Sequence, residues 1–514
     1  MAKEKSAPAA KKPAGIIVRN ILIGLLVVAF VGVGAFGLLS RTRFLMDKLT
    51  ALEFGGEKIS ALEYKIYYKT NEMNFISQYG TTLQLYYGVD LSQPLETQPY
   101  GDGTWGDYLH SAAQAGIEEI YTLYLEALEN GYTLADDDDP VYQGELAAYR
   151  ATAEAYEMEL DEYIKAVYGS AVHMEDLEHV ARIRATATNY YNDCIENLGV
   201  TNADAQARYE ENPADYDEVD YRYFSFPYET VTYTEPAEGE ELAEGAPASQ
   251  EEADAMTEAN IAEAQALADT FVSRVTNENR FADLALEYAD EDSKEKYEDA
   301  DATLTKGGAL SNASSSATLQ WCAEEGREKG DMTTIDTGSS IAVVYFVDRY
   351  LPNVPTASAR HILIRASEAA EDASEEEIAE AESQLAAAKE KIEAILAEYE
   401  SGEQTEEAFA RLAIQYSQDS GSVTTGGLIE DFAEGDMVTE FNDWVFDSAR
   451  KPGDVEIVKT TYGYHLIYFV ADGDPEWQVS ARQAVESEKY SEYYDSLAGK
   501  YSMTAKDYGV SLAY

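Results

Sequence analysis

Histidine is rare in this chain, with five in 514 residues, and two of the five fall in strand-like runs. His361 sits in Arg360-His361-Ile362-Leu363-Ile364, and His465 in Tyr464-His465-Leu466-Ile467. Imidazole changes charge and tautomer near neutral pH, so two imidazoles on neighbouring strands can share one proton and hold a fixed hydrogen-bond network. The alternative for any one strand histidine is simple packing. The two cysteines, Cys194 and Cys322, exclude a disulfide-rich scaffold and a cysteine-based structural zinc site; whether they pair stays open. The acidic run 136–139 precedes Pro140 but lacks the alternating ligand spacing of a calcium loop. It reads as a solvated acidic turn.

The elements that position these histidines are duplicated. Phe281 to Tyr288 (FADLALEY) matches Phe409 to Tyr416 (FARLAIQY), Gly307-Gly308 matches Gly426-Gly427, and Trp321 matches Trp444. Tyr345-Phe346-Val347 matches Tyr468-Phe469-Val470, with no gap from the tryptophans onward. Landmarks kept in order over this length indicate two copies of one α/β module, at 217–352 and 356–473, joined by a short link from Pro352 to Pro355. On the gap-free register Ala342 stands in the first copy where His465 stands in the second. The first copy has no histidine and is shorter between its glycine pair and its tryptophan. Arg222 or a neighbour is expected at the His361 position, and this copy is expected to be inactive.

The rest of the chain is read from charge and periodicity. Thirty-seven Lys+Arg against 97 Asp+Glu give a formal net charge of −60. A chain this acidic does not gather the cations that replace counterions on phosphate, which excludes nucleic-acid binding. It is not the composition of a disordered chain, because 45% of residues are hydrophobic and 11% aromatic, enough for real cores. Residues 1–20 break the acidic pattern, with Lys3, Lys5, Lys11, Lys12 and Arg19 against Glu4 alone. Residues 21–39 are then drawn only from Ile, Leu, Val, Ala, Phe and Gly. At 1.5 Å per residue they reach roughly 28 Å, the thickness of a bilayer's hydrocarbon. The spacing predicts a transmembrane helix over 21–39, a cytoplasmic stub over 1–20 and an extracytoplasmic remainder. A helical, tyrosine-rich domain is expected over 50–215, opened by Ser60 and Glu63 in a capping-box pattern. Residues 235–254, acidic and without Lys or Arg, read as a flexible insertion.

The second module resembles the parvulin family of peptidyl-prolyl cis-trans isomerases. The resemblance rests on Ala359 to Ile364, on Phe409 to Ser420 ending in Tyr-Ser-Gln-Asp-Ser, on Gly426-Gly427-Leu428, on Glu434 to Val438 with Phe441, and on Lys459 to Ile467. The wider layout resembles the SurA/PrsA class of extracytoplasmic folding factors, without the lipid-site cysteine of typical PrsA proteins. The resemblance implies that His361 and His465 lie side by side, with Asp419 facing the reacting amide. It implies that Leu428, Met437 and Phe441 form the proline pocket, with Tyr462 at its side. Thr460, Thr461 and Tyr462 are alternatives for an inward hydroxyl.

The expected fold class is α+β and multidomain: transmembrane helix, helical domain, degenerate parvulin module, parvulin module, and a C-terminal segment over 475–514 that returns to the helical domain. The expected function is a membrane-anchored isomerase and folding factor for exported proteins; a holdase that only binds unfolded chains is the alternative. The expected partners are unfolded or nascent exported polypeptides with X–Pro bonds, and the lipid bilayer through residues 21–39. No cofactor is expected. A metal held by His361, His465 and Asp419 is conceivable, but the family gives the better account. Acidic residues crowd the region after Arg365, which argues against phosphopeptide substrates.

Overall fold

The computed structural model describes residues 42–235, 245–370 and 373–513. The transmembrane helix expected over 21–39 and its basic stub lie outside the described residues. Among those described, no helix is long and apolar enough to cross a membrane. The protein is mixed α+β and divides into two compact units. One holds residues 42–200, 355–476 and 486–513, and the other holds 201–354 and 477–485. The helix Asn202–Glu211, placed in the helical domain by its sequence, thus belongs to the second unit.

Local signals open the helices of the first unit. Ser60 Oγ accepts the Glu63 amide at 3.1 Å and starts Ala61–Tyr87. Glu63 does not complete the box. Its carboxylate turns into the core, where the Tyr121 hydroxyl donates to it, and burial pushes it up to about 7. Thr104 and Asp107 form a reciprocal capping box for Trp105–Glu129. The acidic run is itself a cap: Asp139 accepts the Tyr142 amide, with Pro140 in the first turn of Pro140–Ala155, and Arg182 pairs with Asp137. The tyrosines are largely core. Tyr64, Tyr68, Tyr163 and Tyr168 are fully buried beside Phe54, Leu109 and Ile117. The tail belongs to the same core. Met503–Ala505 pairs antiparallel with Thr50–Phe54, Leu512 and Ala513 are buried against it, and Tyr490 and Tyr494 pack on Leu123 and Ala127.

The first unit also carries a four-stranded antiparallel sheet in the order Leu428–Ala433, Pro355–Arg365, Gly463–Pro475, Val455–Thr460. Side chains alternate across it. Ile362, Ile364 and Leu466 pack under the helices Glu375–Ser401 and Glu406–Tyr416, with Ile392, Phe409 and Ala413. Ala359, Ile467 and Phe469 face the short helix Thr439–Val445, with Phe441 and Trp444.

The second unit repeats this order with Leu304–Ala309, Glu218–Pro227, Ser340–Tyr350 and Met332–Asp336. Its register narrows one expectation, that Arg222 or a neighbour stands at the His361 position. Arg222 is the counterpart of Arg360: each pairs with the first-turn glutamate of the second helix after its strand, Arg222 with Glu278 at 3.1 Å and Arg360 with Glu406 at 2.9 Å. The His361 position falls to Tyr223, which sits opposite Val344 as His361 sits opposite Ile467. The acidic insertion is also shorter than expected. Residues 236–244 lie outside the described residues, but Ser249 caps a regular helix, Gln250–Arg274. Both cysteines are free, Cys322 within the apolar cluster of Val219, Val344 and Phe346.

The turn into the last strand is held by one glycine. Gly463 has φ +135°, and a Cβ there would lie 2.2 Å from the Ile364 carbonyl oxygen. Gly463→Ala is expected to cost about 2 kcal/mol or more, read as a lower urea midpoint of the transition that includes this sheet. An unchanged midpoint would contradict that close packing.

Candidate active site

Strand register brings the two histidines together. His361 is opposite Ile467, and His465 is opposite Leu363, so the imidazoles are diagonal neighbours on one face of adjacent strands. Their Nδ1 atoms are 3.0 Å apart, and their rings lie nearly parallel, with centroids 5.3 Å apart. Both are buried.

A hydrogen-bond chain extends from each ring. His361 Nε2 meets Asp419 Oδ2 at 2.9 Å and Ser422 Oγ at 2.9 Å. Ser422 Oγ also donates to Asp419 Oδ2 at 2.6 Å. On the other side, His465 Nε2 meets Thr460 Oγ1 at 2.9 Å, and the Tyr462 amide donates to that same hydroxyl at 3.1 Å. All four imidazole nitrogens are therefore engaged. Among the described residues no cluster of His, Cys, Asp and Glu is arranged to hold a metal ion.

The electrostatics follow from burial and neighbours. Burial, then the adjacent His361, presses His465 down to about 3 against the pull of Asp419, so its ring is neutral at pH 7. Burial opposes a charge on Asp419. The hydrogen bond and charge of His361, then the Ser422 hydroxyl and the Gly421 amide, outweigh it and hold the carboxyl well below its ordinary range. The site thus presents a fixed carboxylate at one end and a neutral imidazole inside.

The apolar residues divide. Phe441 is buried and stands edge-on to both imidazoles, with centroids 5.6 Å from His361 and 5.7 Å from His465. Met437 is half-buried in the Phe441 cluster. Leu428 is half-buried on the neighbouring edge strand, opposite Arg360, and belongs to neither apolar cluster of this sheet. The Tyr462 side chain is 59% exposed; only its backbone joins the chain. Of the three candidate hydroxyls, Thr460 is the buried one that faces a ring.

Sequence reading missed Ser422, although Asp419-Ser420-Gly421-Ser422 is a turn pattern with a hydroxyl three residues after the acid. It also missed Ser417, whose Oγ accepts the amides of both Leu363 and Asp419 at 3.2 Å. That hydroxyl ties the loop of Asp419 to the strand of His361.

Comparisons with known proteins match this segment. The family model described as the PPIC-type PPIASE domain covers residues 344–472. A Foldase protein PrsA of Geobacillus sp. (strain WCH70) is 52% identical over 62 residues, 12% of this chain and 22% of that protein. A Foldase protein PrsA 1 of Listeria innocua is 44% identical over 64 residues, again 12% and 22%. The chain thus spans about a fifth of the length of these curated relatives. A crystal structure of a peptidylprolyl isomerase (PrsA) from Bacillus cereus is similar over 26% of this chain and 44% of that one, at 29% identity and a TM-score of 0.18. Residues 344–472, which include the paired histidines, are thus similar to the PPIC-type, or parvulin-type, family of peptidyl-prolyl cis-trans isomerase domains.

Proposed function

We propose that the whole chain is a membrane-anchored, extracytoplasmic peptidyl-prolyl isomerase and folding factor for exported polypeptides. The observation that carries the reading is the buried chain Asp419–His361–His465–Thr460 beside Phe441. Anchoring rests on the apolar run 21–39 and the basic residues before it.

Rotation about an X–Pro bond faces a barrier of roughly 18–20 kcal/mol and needs no bond made or broken. Twisting localises the nitrogen lone pair and reduces the negative charge on the carbonyl oxygen. A site accelerates this only by favouring the twisted amide over both planar forms. In this proposal Phe441 and Met437, with Ile429 of the same apolar cluster, hold the proline ring and Tyr462 reaches the substrate from outside; Leu428, paired opposite Arg360, lies on the other face of the sheet. That grip is common to every isomer and mainly serves affinity. Discrimination comes from preorganised polar groups: Asp419 facing the amide, and the histidine pair fixing its position. A thousandfold acceleration requires about 4 kcal/mol; the X–Pro amide has no N–H to donate, so the Asp419 carboxylate would act through the reduced negative charge of the twisted carbonyl, as a preorganised electrostatic group.

A second reading, a holding function, is favoured by exposed aromatic and aliphatic residues. Tyr79, Leu85, Tyr86, Tyr87, Tyr100 and Tyr108 are exposed, several of them around Trp105. Tyrosines offer large contact area at little entropy cost.

Full-length protein should catalyse cis-trans exchange of a proline tetrapeptide, and His465→Ala should lower kcat/KM at least tenfold. A parent rate equal to the uncatalysed rate, or a variant equal to the parent, would overturn the isomerase reading. If the tyrosine surface holds clients, Tyr86→Ser/Tyr87→Ser should weaken suppression of client aggregation at least twofold without altering the tetrapeptide rate. Unchanged suppression would remove the holding role from that surface.

A further inference from the structure

The loop carrying Asp419 and Ser422 is built from two sides. On one side, the Gln418 amide donates to the Leu363 carbonyl at 2.8 Å, and the His361 amide donates to the Gly427 carbonyl at 2.8 Å. The other side is covered by a helix more than 260 positions away in sequence, Pro140–Ala155. Val423 is completely buried against Ala147 and Ala151, with Ala148 and Ile414 at the margin. Gly144 lies so close to this loop that a Cβ on it would sit 2.2 Å from the Thr424 carbonyl oxygen. Such a contact cannot be relieved by moving a flexible side chain, because the obstacle is backbone.

Two polar contacts lock the same junction. Arg150 donates to the Ile414 carbonyl, at the end of the helix that leads into the loop. Gln418 Nε2 donates to Glu154 Oε2 at 2.8 Å. Gln418 precedes Asp419, and its other amide atom accepts the Arg365 amide at 2.7 Å. Glu154 is thus linked through one side chain to the strand of His361 and, through the backbone, to the carboxylate that His361 binds.

The opposite face of Pro140–Ala155 is committed to the helical core. Tyr149 and Ala153 lie in the cluster of Tyr163 and Tyr168. The helix is therefore a wedge with one face in each part. A loop of about ten residues with no cover would sample many backbone states. Gly144, Ala147, Ala151 and the Arg150 and Glu154 side chains remove that freedom where it affects the distance from Asp419 to His361.

We infer that the helix Pro140–Ala155 is a positioning element of the isomerase site, holding the 417–425 loop so that Asp419 stays on His361, with Gly144 and Glu154 as its positioning residues. The inference rests on the proposed isomerase activity for its kinetic test, but its structural test does not need that activity.

The experiment uses full-length protein and two variants. Gly144→Leu forces the helix off Thr424. Arg150→Ala/Glu154→Ala removes both polar contacts without adding bulk, and serves if the first variant does not fold. Each should shift the ring ¹⁵N signals of His361 and lower kcat/KM at least fivefold on a proline tetrapeptide. In an Asp419→Asn background the same changes should alter kcat/KM less than twofold, because the group they position is already lost. Ala155→Leu, at an exposed position of the same helix, should leave both readouts at the parent's values. Ring signals coincident with the parent's in the variants, or equal losses with and without the Asp419 carboxylate, would overturn the inference. If the parent shows no isomerase activity, the functional reading fails and the ring signals still decide this one.

Discussion

The site depends on the register between Pro355–Arg365 and Gly463–Pro475. With His361 opposite Ile467 and His465 opposite Leu363, the two imidazoles share a face, and Ile362, Ile364 and Leu466 share the other. A slip of one residue would send the histidines under the long helices and the isoleucines toward Phe441. The apolar pattern therefore holds the polar site in place, because a one-residue slip loses the core formed with Ile392 and Phe409. Gly463 locks the hairpin, and the Ser417 hydroxyl joins the Asp419 loop to the same strand. Register sets the His361–His465 contact, and the held loop of Asp419 and Ser422 completes the hydrogen-bond chain.

The second sheet shows the same frame without the chemistry. Its strand order is identical, and the ion pair at the helix start recurs as Arg222–Glu278 beside Arg360–Glu406. Yet Tyr223 and Ala342 occupy the histidine positions. Framework contacts and site residues are thus separable: the first are common to both copies, and the second stand only in the copy that retains Asp419, His361 and His465.

How much could be read from sequence differs by kind of information. The repeat and the strand carrying each histidine are local patterns, and they were legible. So was the helix start at Ser60, although Glu63 went into the core because Tyr121 offered it a buried donor. The position equivalent to His361 was placed only as Arg222 or a neighbour, and strand pairing settles it on Tyr223, opposite Val344. Ser422 and Thr460 needed three-dimensional distances to single them out among several neighbouring hydroxyls. The contact of Pro140–Ala155 with the 417–425 loop joins segments far apart in the chain through small residues, Gly144, Ala147 and Ala151, and small residues carry little pattern of their own.

The central claim is that a buried, neutral His465 is held in one hydrogen-bond chain with His361 and Asp419. Histidine-selective ¹⁵N NMR of the full-length protein across pH 8 to 5 tests it most directly. His465, depressed from an ordinary value of 6.5 to about 3 by burial and by His361, should stay neutral through that whole range and begin to take up a proton only on further acidification. A His465 ring that titrates with a midpoint near 6.5 would contradict the account.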